Sequence, residues 1–203
     1  MGSYAALLFE RLSRPSRVAA LICAIAIFAA LSVLTVMQEA VWKDSIALWT
    51  HEINTVPDRP ALAYYNRGVA YEAAGDRVKA ISDFSEAVRL DPKHINAYAY
   101  RGYAYRMLKK MELALKDYDT ALRFDPNYAK AYLNKAVIYI ETGRYMEAEK
   151  ELKAAIKLAP ENPYIVYNFG VCYEKLGRKA EAADYFKKAA AMGFKAPDAY
   201  LSQ

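Results

Sequence analysis

The chain has 203 residues, 55% of them hydrophobic and 25% charged, with 28 Lys and Arg against 23 Asp and Glu for a formal net charge of +5; this supports a packed core and argues against general disorder. Two His and two Cys argue against a disulfide framework, a His/Cys metal cluster or a dense catalytic centre. The charge excess falls short of the basic bias of nucleic-acid binders, and the anomaly is tyrosine, with 18 copies.

Residues 1–17 are expected to form a cytoplasmic or interfacial segment, with Tyr4, Leu7, Leu8 and Leu12 on one helical face before Pro15. The opening Met-Gly-Ser lacks a Ser or Thr at position 6 and so does not fit the myristoylation pattern. Residues 18–37 hold no charge, and 20 residues at 1.5 Å each give about 30 Å of helix, the depth of a bilayer's hydrocarbon core. A transmembrane helix is the expectation. A buried core helix is disfavoured because no face is polar, and a cleavable signal peptide usually has a shorter apolar region. Arg11, Arg14 and Arg17 precede the segment, which by the positive-inside rule places the N-terminus in the cytoplasm. A single-pass membrane protein results, with all later residues on the periplasmic or equivalent side. Cys23 and Cys172 cannot plausibly pair and do not decide the compartment.

In residues 38–60, Trp42, Ile46, Trp49 and Ile53 recur on one helical face, and Pro57 and Pro60 end it. The segment reads as a juxtamembrane capping helix and linker, with interfacial anchoring as the alternative for Trp42.

From residue 61 the chain repeats every 34 residues. Gly68, Gly102, Ala136 and Gly170 keep that step, as do Tyr71, Tyr105, Tyr139 and Tyr173, and Ala80, Ala114, Ala148 and Ala182. Four units are expected over 61–196, at 61–94, 95–128, 129–162 and 163–196, followed by a tail at 197–203. Each reads as two amphipathic helices, with Gly75, Gly143 and Gly177 at the turn between them and Lys109 in that place in the second unit. Asp91-Pro92 and Asp125-Pro126 stop the second helix. One such unit cannot bury both faces, so stacking supplies the core.

Tyr64, Gly68, Tyr71, Ala80, Phe84, Ala87 and Pro92 resemble the tetratricopeptide repeat pattern, with near repetition afterwards. The resemblance implies an all-α chain in which the N-terminal transmembrane helix is followed by a right-handed α-solenoid of four helix hairpins. It implies further that the first helix of each unit lines a concave groove. The groove residues would be Tyr65, Asn66, Tyr100, Tyr103, Arg106, Lys130, Asn134, Tyr167, Asn168 and Lys175. An Asn both donates and accepts, which suits the amides of an extended peptide, whereas the competing role is capping local backbone. Tyr64, Tyr98 and Tyr132, like the Tyr71 series, are expected in the core by phase. Tyr65 and Val69 stand where the family's carboxylate-clamp subtype needs Lys and Asn, which argues against that ligand. The stretch Val41-Trp42-Lys43-Asp44-Ser45, with Leu48-Trp49, Pro57 and Tyr65-Asn66-Arg67-Gly68, is also similar to the junction in bacterial polytopic membrane proteins of the protein O-mannosyltransferase-like type, whose last membrane helix runs into a tetratricopeptide tail.

No enzyme chemistry is legible. His51 and His94 are far apart, Asp117 and Asp119 point about 200° apart around a helix, and Gly75-Asp76-Arg77 is a hairpin turn rather than a phosphate loop. No catalytic residue, metal ligand or cofactor is assigned. Helical repeats that read RNA need a base-selecting pair per unit, and none emerges, so no nucleic acid is expected. The expected function is a membrane-anchored scaffold or adaptor. Its groove would bind a peptide segment of another protein, the partners being membrane or envelope proteins, with the lipid bilayer engaged through 18–37. Tethering would raise the effective concentration of such partners. The alternatives are an accessory tail of a glycosyltransferase-like membrane protein and self-association through the array ends.

Overall fold

The computed structural model describes residues 22–23, 25–27, 44–56 and 61–195. Two compact units divide the chain, Met1–Glu52 and Ile53–Gln203. In the first, the described residues Ile22, Cys23, Ile25, Ala26 and Ile27 are helical and exposed. Helix α1, Ser45–Thr55, starts in this unit and ends in the second. The Asp44 carboxylate begins it by accepting from the Ile46 amide at 2.9 Å, satisfying one of the donors a helix start leaves open. Ile46 and Trp49 are half-buried and Ile53 is buried, while Trp42 lies outside the described residues.

The expectation of a membrane-spanning helix is corrected. Among the described residues no helix is long and apolar enough to cross a membrane. Apart from the five helical positions above, 18–37 lies outside the described residues. The single-pass placement, with its cytoplasmic N-terminus and periplasmic array, rested on that helix and falls with it.

The second unit is helical in four hairpins among the described residues. They are α2 Ala61–Ala73 with α3 Arg77–Leu90, α4 Ile95–Met107 with α5 Met111–Phe124, α6 Ala129–Glu141 with α7 Tyr145–Leu158, and α8 Pro163–Lys175 with α9 Lys179–Ala191. The second helix of each hairpin packs on the first helix of the next, and α2, α4, α6 and α8 also meet their neighbours directly, so the first helices form one continuous face.

The turn within each hairpin closes on the same bond. The amides of Asp76, Lys110, Arg144 and Arg178 donate to the carbonyls of Tyr71, Tyr105, Tyr139 and Tyr173 at 2.7–2.9 Å. That closure needs a left-handed residue, supplied by Gly75, Gly143 and Gly177 at φ of 75–81° and, in the second hairpin, by Lys109 at φ 60°. Between hairpins, Asp91 and Asp125 cap the preceding helix through their amides, and each folds its carboxylate onto the amide two residues on, past the proline. Pro92 and Pro126 have no amide to continue the helix.

Close approach within a hairpin sets the spacing. A Cβ added at Gly68 would lie 2.7 Å from Phe84, at Gly102 3.1 Å from Tyr118, and at Gly170 2.6 Å from Phe186. The third hairpin solves the same problem with larger Ala136 and smaller Leu152, both fully buried. Cross-helix ion pairs reinforce the contact. Arg67 grips Asp83 through Nε and Nη2, each at 2.8 Å, and Arg101 grips Asp117 at 2.8 and 2.7 Å. Lys135 pairs with Glu151 at 2.9 Å. Each pair spans 16 residues, from the first helix to the second. In the fourth hairpin the same two places hold Phe169 and Tyr185, stacked with centroids 4.9 Å apart. Arg101 and Lys135 also reach back to Ser85 and Asp119 of the preceding hairpin, so one side chain ties two hairpins together.

The last helix carries Ala183 and Ala190, both exposed, at the steps that hold Ile81 and Leu115, and Val88, Leu122 and Ile156, earlier in the array. The small side chains at these two steps reduce the apolar surface of the last helix itself.

Candidate functional site

The continuous face of first helices holds most of the expected groove residues, in two separate clusters and a remainder. The first cluster joins three hairpins. Tyr65 on α2 meets Tyr100 on α4 edge-to-face, with centroids 5.6 Å apart, and stacks at a tilt on His94 at 4.8 Å. Lys130 at the start of α6 holds its ammonium 4.4 Å from the centre of the Tyr100 ring, within cation–π range. His94 is fixed from behind, because its Nδ1 accepts from the Ala97 amide at 3.2 Å and thereby caps α4. Burial, and after it the adjoining Tyr100, pushes the Tyr65 hydroxyl up to about 12. It is therefore a neutral donor throughout the physiological range. Tyr128, raised by burial first, donates to Asn96 Oδ1 at 3.0 Å and closes one edge.

The second cluster lies across α4 and α6. The Arg106 guanidinium sits 5.4 Å from the centre of the Tyr103 ring and pairs through Nη1 with Glu141. Its Nε is buried without a hydrogen-bond partner, as is the hydroxyl of Tyr118, which is fully buried against Gly102. Burial raises the Tyr118 hydroxyl and the nearby Arg106 charge opposes this. The Tyr103 ring and the half-buried Arg106 cation suit the side chains and carbonyls of a bound segment.

The remaining expected residues are placed differently. Tyr167 is only 9% exposed, because it stacks on Phe194 at 4.4 Å and leans on Phe186 at 5.4 Å. The ring is taken up by the packing of the last hairpin. Asn168 donates its side-chain amide to the Tyr164 carbonyl at 2.8 Å, one turn back. That is the local backbone role that competes with peptide binding. Asn66 and Asn134 are half-buried on α2 and α6, and Lys175 is exposed at the end of α8. Reading from sequence missed His94, Tyr128 and Glu141. Glu141 sits one step past the Arg106 position in the following repeat, which is the signal that finds it. His94 and Tyr128 fall in the inter-hairpin turns, where helical phase says nothing. Among the described residues no group of three or more His, Cys, Asp or Glu is placed to hold a metal ion.

Family models described as tetratricopeptide repeat match residues 61–94 and 133–199, and one described as TPR repeat matches residues 102–143. The array is built of tetratricopeptide repeats. Those models cover the repeats, and none of the matches supports the similarity of 18–68 to membrane-protein junctions. No match is found among curated proteins. Among solved structures, a crystal structure of MamA matches with 24% identity over 77% of this chain and 91% of that one, at a TM-score of 0.67. MamA from Desulfovibrio magneticus RS-1, residues 41 to the end, matches with 21% identity over 78% and 92%, also at 0.67. The APC/C hetero-tetramer Cut9–Hcn1 matches with 19% identity over 71% of this chain and 27% of that one, at 0.66. At these identities the likeness is one of fold: an all-helical tetratricopeptide solenoid.

Proposed function

We propose that the chain is a protein-interaction scaffold whose first-helix face binds a peptide segment of another protein, centred on Tyr65, Tyr100, Tyr103, Arg106, Lys130 and Asn134. The observation that supports this most is the Tyr65–Tyr100–Lys130 cluster. It gathers side chains from three successive hairpins on one face, and no core-packing need calls for a lysine ammonium over its outer ring. The tyrosines offer apolar area and a neutral hydroxyl at little conformational cost, and Asn134 adds a donor and an acceptor beside them. Asn66 and Lys175 lie on the same helices and extend the surface, whereas Tyr167 and Asn168 are left to packing and local capping.

The test is selection of displayed peptides on the full-length chain, followed by binding measurements on Tyr100→Ala, Tyr103→Ala and the paired Asn134→Ala with Asn168→Ala. The first two weaken the selected peptides at least about tenfold, and Asn134→Ala alone accounts for the paired variant's effect. Full binding by all of these variants, with unchanged helix content, contradicts the reading.

A second reading is assembly of copies of the chain. It draws on the aromatic edge of the last hairpin, where Tyr164 is 60% exposed and meets Phe194 edge-to-face at 5.2 Å. Cut9–Hcn1, similar in fold, is itself a hetero-tetramer. Light-scattering mass measured over a hundredfold concentration range decides it. A rise in mass that Tyr164→Ala abolishes supports assembly, and a constant monomer mass refutes it.

A further inference from the structure

The outer side of the third hairpin carries a feature that the peptide-binding face does not explain. A cleft of about 610 Å³ runs along α7. Its apolar lining comes from Met146, Ala154 and Leu158 on the helix and from Pro126 and Tyr132 across from them. Met146 is 66% exposed and so open to a partner. The cleft's remaining lining is charged, from Glu149 and three lysines, Lys150, Lys153 and Lys157. At 100° per residue the lysines fall within about 60° of arc, and Lys150 and Lys157 are about 10 Å apart along the axis.

The other hairpins do not repeat this. At the steps of Lys150, Lys153 and Lys157, the first has Ser82, Ser85 and Arg89, the second Lys116, Asp119 and Arg123, and the fourth Asp184, Lys187 and Ala191. Arg89 is neutralised by Glu86 through two bonds. By contrast Lys150 and Lys157 make no ion pair among the described residues. Lys153 does, with Glu149 at 2.8 Å, yet Glu149 is also held by Arg178 Nη1 and by the Tyr173 hydroxyl, each at 3.3 Å. Lys153 can therefore turn to another carboxylate without leaving Glu149 unpaired.

We infer that this cleft is a second docking site, for an acidic amphipathic helix of a partner protein. Met146 and Leu158 are 12 residues apart, about 18 Å along the axis, or three turns of an incoming helix. Apolar side chains at steps of three and four settle between Met146, Ala154 and Leu158, as ridges enter a groove. Carboxylates on the flank of the incoming helix, repeating at the same steps, meet the lysine row. The single sign of that row is the argument for an acidic partner, and the helical period of both rows is the argument for a helix.

The experiment uses the full chain and a synthetic 18-residue amphipathic helix with Leu on one face and Glu on its flank, read by fluorescence anisotropy. The paired variant Lys150→Glu with Lys157→Glu weakens binding at least about tenfold, and affinity falls steeply with salt. Both substitutions are on exposed side chains, and an unchanged circular-dichroism melt shows that the fold is intact. Tyr103→Ala, on the opposite set of helices, leaves this binding unchanged, so failure here is separable from failure of the peptide-binding face. Equal affinity of the charge-reversed chain, equal binding of the same helix carrying Lys in place of Glu, or loss through Tyr103→Ala overturns the inference. So does co-sedimentation with phosphatidylserine-containing vesicles that depends on the same lysines while the peptide fails to bind.

Discussion

Adding one methyl group at Gly68 and at Gly170 separates two packing environments that the repeat makes formally equivalent. At Gly68 the new Cβ meets Phe84 at 2.7 Å, and Phe84 is fully buried with no space to move into. At Gly170 the contact with Phe186 is closer still, 2.6 Å, but Phe186 is only half-buried and can swing toward solvent. Overpacking a tight core costs about 1–3 kcal/mol, while Gly→Ala within a helix gains about 1 kcal/mol from propensity. Gly68→Ala is therefore destabilising by up to about 2 kcal/mol and Gly170→Ala is close to neutral or better, the reverse of the order the two distances alone suggest. The third hairpin supplies the remedy, since Ala136 there faces the smaller Leu152. Phe84→Leu added to Gly68→Ala should recover about 1 kcal/mol relative to the sum of the single changes. Urea denaturation followed by circular dichroism at 222 nm measures the four variants against the parent chain. Equal losses for Gly68→Ala and Gly170→Ala, or strict additivity of Gly68→Ala with Phe84→Leu, refute the reasoning.

Lys109 carries a left-handed backbone that costs a non-glycine residue about 1 kcal/mol, so Lys109→Gly raises the denaturation midpoint. Asp117→Asn removes the charge that Arg101 grips with both arms while both side chains are under one-fifth exposed, and a melt should show about 2 kcal/mol lost. Hydrogen bonding from Lys153, with the Lys153 and Arg178 charges, holds Glu149 below the usual glutamate range. Its ionised form therefore stabilises the fold above the ordinary value near about 4.3, and that contribution drains as pH falls through the lowered one. Glu149→Gln should flatten the loss of stability below about pH 5 in an acid titration.

The repeat was legible because 34-residue phase is a property of the chain itself. Glycine at 68, 102 and 170 with a large ring 16 residues on announces a close helix pair before any coordinates. The ion pairs were not announced. Arg67 with Asp83, Arg101 with Asp117 and Lys135 with Glu151 are also 16 apart, but on helices whose mutual rotation must be known before two charges are seen to meet. Repeat phase puts Tyr100, Tyr103 and Lys130 on first helices in the middle of the array, where each has neighbours on both sides. At the end of the array Phe194 takes the place of the earlier prolines and stacks on Tyr167, a contact that phase alone does not announce. The apolar run at 18–37 shows the opposite weakness. Hydropathy and length describe what a segment tolerates, whereas the described residues contain no helix long and apolar enough to span.

The most direct test of the central claim is site-specific photocrosslinking in intact cells, with the probe placed in turn at Tyr103, Asn134 and, as the control on the last helix, Lys187. The account predicts that Tyr103 and Asn134 capture the same partner segment and that Lys187 does not. Capture of that segment from Lys187 with equal yield, while Tyr103 and Asn134 remain silent, contradicts it.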